Sequence, residues 1–234
     1  MNTFRKGIAG GIPIALGYFA VSFSFGILAV KGGIHPLTAA LISLTNVTSA
    51  GQFAGLTIIL ASGSLWEMAL TQFIINLRYS LMSLSISQKL DAKLPLWHRF
   101  LMAFGMTDEI FGISAVQKNP LAPSFMYGAM AVAIPGWVLG TLVGGLAGSV
   151  LPAFLLSALG VALYGMFIAI IIPPAKANPA VLTVVLLSMG LSCLFYFLPL
   201  LKQVSSGFVI IIVTVVVAGV MAWLKPVEEE PSDV

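Results

Sequence analysis

Eight long apolar runs constrain this chain more than any other feature of its sequence. Most reach the ~20 residues that a helix needs to cross the hydrocarbon core of a membrane, and none alternates as the shorter strands of a membrane barrel do. The runs, numbered here as segments one to eight, cover residues 8–30, 36–60, 66–86, 96–118, 123–146, 152–172, 178–200 and 207–224. We therefore predict an all-α integral membrane protein, a polytopic bundle of these eight segments.

The composition excludes several other classes of protein. Hydrophobic residues make up 59% of the chain and charged residues 8%, whereas a soluble domain carries about 25% charged residues. So little charge excludes a soluble globule and a disordered chain. The formal net charge is +3, but the Lys and Arg residues are spread between the segments and form no basic patch for a nucleic acid. They are better explained as residues that keep loops on the cytoplasmic side.

Both ends of the chain are predicted to lie in the cytoplasm. Arg5 and Lys6 precede segment one, which contains Pro13 and has no evident cleavage site. We interpret this segment as a retained transmembrane helix and not as a signal peptide. Residues 225–234 contain three consecutive Glu and one Asp, so we expect an acidic, solvated and disordered tail there.

A weak internal repeat relates residues 1–118 to residues 123–224, within one transmembrane domain that we assign to residues 1–224. Transporters are often built from two such halves. A shift of 114 residues aligns Gly26 with Gly140, Ser43 with Ser157, Gly51 with Gly165, and Phe53 with Phe167. The scaffold would be duplicated, but the polar chemistry would lie in the first half only, because the same shift aligns Gln52, Asn76, Arg78 and Asp108 with Met166, Gly190, Ser192 and Ala222.

The loop charges favour six crossings over eight. If all segments cross, the Lys and Arg residues of the loops divide five to five between the two sides. If segments two and six are re-entrant, seven lie inside and three outside, as the positive-inside rule requires, and the halves are inverted. Segment two supports a discontinuity, because small or polar residues interrupt it: Asn46, Thr48, Ser49, Gly51 and Gln52. Segment six has no polar break, so both topologies stay open.

Three ionisable residues lie well inside apolar segments: Arg78 in segment three, and Asp108 and Glu109 in segment four. A charge at the bilayer centre costs at least ~2.5–3.5 kcal/mol, so such residues usually pair. The short connection makes the two segments antiparallel neighbours, and we predict an ion pair of Arg78 with Asp108 or Glu109. One interpretation is a static pair that fixes helix packing. The other is proton coupling by the second acid, because burial favours the protonated form of a carboxyl.

Two amides are further candidates for binding. Gln52 follows Gly51 in the interrupted part of segment two, where a helix break would present N–H groups and a partial positive charge to a substrate carboxylate. Asn76 shares a helix face with Gln72, four residues earlier. For both amides the alternative is a polar contact that only holds neighbouring helices together.

The remaining motifs indicate packing more than chemistry. Gly136, Gly140, Gly144 and Gly148 have the spacing of close helix packing, within the chain or with a second subunit. Cys193 is the one cysteine, and the two His residues, His35 and His98, show no metal spacing. The sequence has no phosphate-binding loop and no H-E-x-x-H motif. We therefore expect no metal, no cofactor and no ATP bound to this chain.

Several short motifs follow one another along the chain in a fixed order. They are Gly11-Ile12-Pro13, Ser49-Ala50-Gly51-Gln52-Phe53, Asn76-Leu77-Arg78, Thr107-Asp108-Glu109 and Tyr164-Gly165-Met166-Phe167. In order and spacing they resemble the AzlC-type large subunit of branched-chain amino acid exporters, over nearly the whole chain. One position departs, because the family often has His after the N-L-R triplet and this chain has Tyr79.

The resemblance implies export of valine, leucine, isoleucine or methionine across the inner membrane of a bacterium, and a small AzlD-type membrane subunit as partner. With the burial argument, it leads us to expect that Gln52, Phe53, Asn76 and Arg78 bind substrate. Phe73 is a second candidate for the apolar wall. Asp108 or Glu109 would carry the coupling proton. Asn46, Ser49 and Gly51 would form the helix break.

Two other function classes are weighed against an exporter. A channel would show only weak saturation and no dependence on protonation of Asp108. A structural subunit of another small-solute transporter would tolerate neutral substitutions at Arg78 and Asp108. An intramembrane enzyme acting on lipid is disfavoured, because the adjacent Asp108 and Glu109 point about 100° apart on a helix. No nucleophile or metal set accompanies these two acids, so we expect that the chain is not an enzyme.

Overall fold

The structure is a computed structural model that describes residues 3–117, 120–148, 154, 168, 171–172 and 175–224. Within these residues it contains nine helices and no strand. They are α1 (Thr3–Lys31), α2 (Pro36–Thr45), α3 (Ser49–Leu60), α4 (Leu65–Gln88), α5 (Leu96–Phe104), α6 (Asp108–Ala115), α7 (Pro123–Ala147), α8 (Pro179–Phe197) and α9 (Ser206–Leu224). By length and composition, α1, α7, α8 and α9 could each cross a membrane. The predicted polytopic helical membrane protein is confirmed.

Two of the apolar segments are each split into two helices. Segment two forms α2 and α3, which are separated at residues 46–48, and the predicted discontinuity is confirmed. Segment four forms α5 and α6, separated at residues 105–107, and this break was not predicted. Segment six lies almost wholly outside the described residues, as does the acidic tail at 225–234. Re-entry of segment six and the number of crossings therefore stay predictions.

A threonine side chain caps the N-terminus of the helix that follows each break. Thr48 Oγ1 accepts a hydrogen bond from Gly51 N at the start of α3, over 3.1 Å. Thr107 Oγ1 accepts one from Ile110 N at the start of α6, over 3.3 Å. A side-chain oxygen at this position satisfies one of the N–H groups that a helix start leaves unpaired. Each break thus ends in a capped helix N-terminus with partial positive charge.

The chain divides into two compact units. Unit 1 comprises Met1–Leu56 and Ile75–Gly160, and unit 2 comprises Thr57–Ile74 and Val161–Val234. Helices α3 and α4 contribute residues to both units. The predicted repeat of residues 1–118 and 123–224 is a different division of the chain and stays a prediction.

In unit 1, α1 packs along α7 through glycine residues. Gly136, Gly140 and Gly144 of α7 approach the backbone of α1 at Ala15, Phe19 and Phe23. A methyl group on Gly144 would overlap the carbonyl oxygen of Phe23, so the close approach requires glycine there. The sequence predicted that these glycines pack closely either within the chain or with a second subunit. The structure shows them packing within the chain, against α1.

Helices α2, α5 and α6 also contact α7 in unit 1. An apolar core around Met126 of α7 and Ile110 of α6, both fully buried, holds α6 in place. In unit 2, α8 packs against α9, where Val213, Val217 and Met221 form a small buried cluster. In unit 1, three short helices, α2, α5 and α6, thus pack against the long helix α7.

Candidate functional site

The two helix breaks of unit 1 line the same cavity. A cavity of about 180 Å³ is lined by residues 46–48 of the first break and Met106 of the second, together with the helix ends that precede the breaks, at Thr45 in α2 and at Ala103 and Phe104 in α5. Asn76 and Tyr79 of α4 complete the wall. Broken helices expose backbone polar groups, and in a membrane protein such groups are tolerated only inside protein or beside a water-filled space. The place where the breaks meet is therefore the candidate site.

A charged cluster lies beside this cavity. The Nη1 atom of Arg78 is 2.8 Å from Oδ2 of Asp108, and the side chains are 44% and 42% exposed. The predicted ion pair is thus present, with Asp108 as the partner of Arg78. The guanidinium also donates a hydrogen bond to the hydroxyl of Tyr79 over 3.1 Å and lies 4.9 Å from the centre of that ring. The neighbouring Tyr79 therefore holds Arg78 through both its hydroxyl and the face of its ring.

Glu109 has a different kind of partner. Its Oε2 atom is 2.5 Å from the hydroxyl of Tyr18 on α1. The same hydroxyl lies 2.6 Å from Oγ1 of Thr107, the residue that caps α6. Among the described residues Glu109 forms no salt bridge, since Arg78 pairs with Asp108. The predicted arrangement of one cation and two acids therefore leaves Glu109 bonded to a neutral phenol.

These charged and aromatic side chains surround a second, smaller cavity of about 40 Å³. Its walls are Tyr18, Val47, Ser49, Arg78, Tyr79, Thr107, Asp108, Glu109 and Trp137. A water molecule needs ~10–15 Å³ of this kind of volume, whereas ligand pockets usually measure ~300–1,000 Å³. In this conformation the cavity admits water but no amino acid. Because Val47 and Tyr79 belong to both walls, the two cavities are neighbours.

Gln52 is not on the wall of either cavity. Its side chain is 1% exposed, its Nε2 donates to Ser43 Oγ over 2.5 Å, and its Oε1 accepts from Trp137 Nε1 over 2.8 Å. The Ser43 and Thr141 hydroxyls are 2.6 Å apart. We call these four residues, Ser43, Gln52, Trp137 and Thr141, the amide network. Gln52 thus lies behind Trp137, and its predicted contact with a substrate stays a prediction.

The other predicted residues fall in different places. Phe53 packs edge-on against Phe25, with 5.4 Å between ring centres, in an apolar core of unit 1. Asn46 lies in the break and on the wall of the larger cavity, which Asn76 also lines. Ser49 and Gly51 belong to the first turn of α3, and Ser49 lines the smaller cavity. The structure therefore brings together Asn46, Ser49, Asn76, Arg78, Asp108 and Glu109, but not Phe53.

Three aromatic residues of the site were missed by sequence reasoning: Tyr18, Tyr79 as a lining residue, and Trp137. Each lies in an apolar segment and carries a polar group that needs a partner when buried. The ring of Tyr18 meets that of Trp137 edge-on, with 5.3 Å between their centres. The break before α6 had a signal, since threonine followed by two acids is a typical helix start.

One comparison with known proteins identifies a family, and others find related membrane proteins. The sequence pattern described as AzlC protein matches residues 13–151, a range that contains every residue on the walls of both cavities. An uncharacterized membrane protein of Archaeoglobus fulgidus is 35% identical over 177 residues, which are 75% of this chain and 77% of that protein. No solved structure matches the chain.

Two bacterial relatives match over shorter ranges. The inner membrane protein YgaZ of Escherichia coli is 30% identical over 151 residues, 63% of this chain and 62% of its own length. An uncharacterized membrane protein of Helicobacter pylori is 28% identical over 152 residues, 64% and 66% of the two lengths. The alignment thus spans less than two thirds of these two relatives. The predicted resemblance is confirmed: the chain belongs to the AzlC family of membrane proteins, which implies a membrane transport-related function.

Proposed function

We propose that the chain is a secondary active exporter of valine, leucine, isoleucine and methionine, driven by the proton gradient. One observation carries the proposal: the smaller cavity presents both signs of charge, Arg78 and the adjacent acids, beside aromatic and aliphatic walls. An amino acid with an apolar side chain has a carboxylate to pair with Arg78, an ammonium to pair with an acid, and an apolar group to contact the aromatic and aliphatic walls. The names of the relatives give no substrate, so the amino-acid class rests on this match and on the resemblance.

In this proposal the substrate carboxylate binds between Arg78 and the start of α3. Ser49 is the first residue of α3 and lies on the same wall as Arg78. A helix N-terminus carries a partial positive charge and N–H groups that suit a carboxylate. Transporters with discontinuous helices use such ends for anionic substrate groups.

The substrate ammonium binds Glu109 in the same scheme. Asp108 is already neutralised by Arg78, at 2.8 Å, whereas the described partner of Glu109 is the neutral Tyr18. A carboxylate can hold an ammonium or a proton, but one excludes the other. Competition of this kind couples outward movement of substrate to inward movement of a proton.

The apolar side chain of the substrate extends towards the larger cavity. That cavity of about 180 Å³ has Val47, Phe104 and Met106 on its wall. Since Val47 and Tyr79 line both cavities, we infer that rotation of these side chains joins the cavities into one space. We infer that binding requires this opening, because the smaller cavity alone admits only water.

The proposal includes a partner and a location that rest on the resemblance alone. The partner is a small AzlD-type membrane subunit, and the location is the bacterial inner membrane. Both termini lie in the cytoplasm, as the distribution of Lys and Arg predicts.

Efflux of preloaded labelled leucine and valine from vesicles tests the proposal. The chain is assayed alone and with a candidate small subunit, each with and without a proton gradient. We expect saturable efflux that the gradient accelerates. Glu109→Gln should remove this acceleration, because the amide takes up no proton.

The matched control is Asp91→Asn, which neutralises an exposed acid in the loop after α4 and should leave efflux unchanged. If no branched-chain amino acid or methionine leaves the vesicles although both proteins are present, the substrate assignment is wrong. Efflux that neither saturates nor responds to the gradient would favour a channel.

A further inference from the structure

Unit 2 contains a buried acid that the exporter scheme does not use. Glu67 lies in the first turn of α4 and is 4% exposed. Ser64 and Glu67 have the spacing of a capping box, in which the Glu side chain bonds back to the start of its own helix. Ser64 Oγ does accept a hydrogen bond from Glu67 N, over 3.1 Å. The carboxylate, however, points to a different helix.

The carboxylate of Glu67 bonds to the start of α9. Its Oε1 atom accepts a hydrogen bond from Ser205 Oγ over 2.5 Å and from Gly207 N over 3.0 Å. These donors are neutral, and the only positive charge they bring is the partial one of a helix N-terminus. A buried carboxylate without a counter-charge is costly unless it binds a cation or a proton.

No charged side chain of the described part of unit 2 compensates Glu67. Helix α9 contains no charged residue, nor do residues 57–64 before α4. Lys202 lies in the segment before α9, and its ammonium is placed over the ring of Tyr196, 5.9 Å from the centre. Among the described residues Glu67 forms no salt bridge.

A second polar atom in the same place also lacks a partner. Thr71 lies one turn after Glu67 on the same face of α4, is 0% exposed, and its Oγ1 has no hydrogen-bond partner. A Cβ atom built on Gly207 would lie 2.6 Å from Glu67 Oε1 and 2.8 Å from Thr71 Oγ1. Both oxygens therefore face the bare backbone of Gly207. An unpartnered buried hydroxyl lacks a partner both for its O–H group and for its oxygen, and a protonated carboxyl can donate to that oxygen.

We propose that Glu67 and Thr71 form a proton-binding site in unit 2, separate from the charged cluster of unit 1. In the ionised state Glu67 accepts hydrogen bonds from Ser205 and Gly207. A proton taken from water adds to the second carboxyl oxygen, and rotation of the two side chains, which form no hydrogen bond with each other in the structure, lets the new O–H group donate to Thr71 Oγ1. The site deepens the proposed function, since a proton-driven exporter gains a second proton carrier. Its test, however, measures proton binding and not transport.

Infrared difference spectra of the purified full chain, between neutral and acidic pH, test the site. A protonated carboxyl gives its own carbonyl stretching band. We expect Glu67→Gln to lose one such band, and Thr71→Val to shift the same band because the O–H group loses its acceptor. A carboxylate that only caps α9 would produce neither change.

The controls separate this site from the exporter scheme. Glu109→Gln should remove a different band, so failure of the scheme in unit 1 leaves the assignment of Glu67 testable. Identical spectra of the wild type and Glu67→Gln would overturn the proposal, and an unshifted band in Thr71→Val would overturn the role of Thr71. If Glu67→Gln does not fold, Glu67→Asp should shift the band, and an unchanged band would overturn the site.

Discussion

The amide network and the charged cluster both place polar groups among the apolar helices of unit 1, but they differ in charge and exposure. Gln52, at the centre of the network, is 1% exposed and bonded at both ends of its amide. Arg78 and Asp108 of the charged cluster are more than 40% exposed and line a cavity. Neutral groups with complete hydrogen bonds fix a fold, whereas half-exposed charges beside a cavity can still exchange their partners.

Trp137 connects the two regions. Its N–H group donates to Gln52 over 2.8 Å, and its ring packs edge-on against Tyr18, whose hydroxyl is bonded to Glu109. The network therefore holds one wall of the cavity in place without lining the cavity itself. The comparison predicts opposite effects of substitution: loss of stability in the network, and loss of transport in the cluster. The substitutions below are ordered by the expected loss in the free energy of unfolding.

Gln52→Leu should cause the largest loss of stability, about 2–3 kcal/mol, because the buried N–H group of Trp137 loses its acceptor. Unfolding in detergent, followed by temperature or denaturant, measures this loss. Gln117→Leu is the control, since Gln117 is only partly buried and donates a single bond to Ile113 O. It should cost less than about 1 kcal/mol. Equal destabilisation by the two variants would show that the amide network stabilises the fold no more than an ordinary side-chain hydrogen bond does.

Tyr18→Phe should have a smaller effect, about 1 kcal/mol, because it removes one hydroxyl that is bonded to Glu109 and Thr107. Efflux per folded molecule should fall, since the carboxylate of Glu109 is no longer held towards the cavity. Unfolding and vesicle efflux are measured on the same preparations. Tyr196→Phe removes a hydroxyl from an exposed ring of α8 and should change neither quantity. Unchanged efflux in Tyr18→Phe would argue against Glu109 as the ammonium site.

The sequence predicted the charged cluster better than the amide network, for a physical reason. Arg78 and Asp108 could be paired because a charge inside an apolar segment must find an opposite charge at similar depth. The direction of Gln52 depends on how α3 is rotated against α7, and apolar periodicity says little about rotation when both helices are apolar on all sides. The break at 46–48 was predicted from its polar residues, whereas the break at 105–107 was missed although Thr107 and the two acids that follow it are a typical helix start.

Asp108→Asn should have the smallest effect on stability and the clearest effect on transport. The pair with Arg78 is half exposed, and such pairs contribute about 0–1 kcal/mol, so the free energy of unfolding should change by less than about 1 kcal/mol. The neutral amide leaves Arg78 without its counter-charge, and we expect the variant to insert but to lose gradient-driven efflux. Asp91→Asn again serves as the control. Unchanged dependence of efflux on pH in Asp108→Asn, or destabilisation as large as that of Gln52→Leu, would mean that this pair is part of the scaffold.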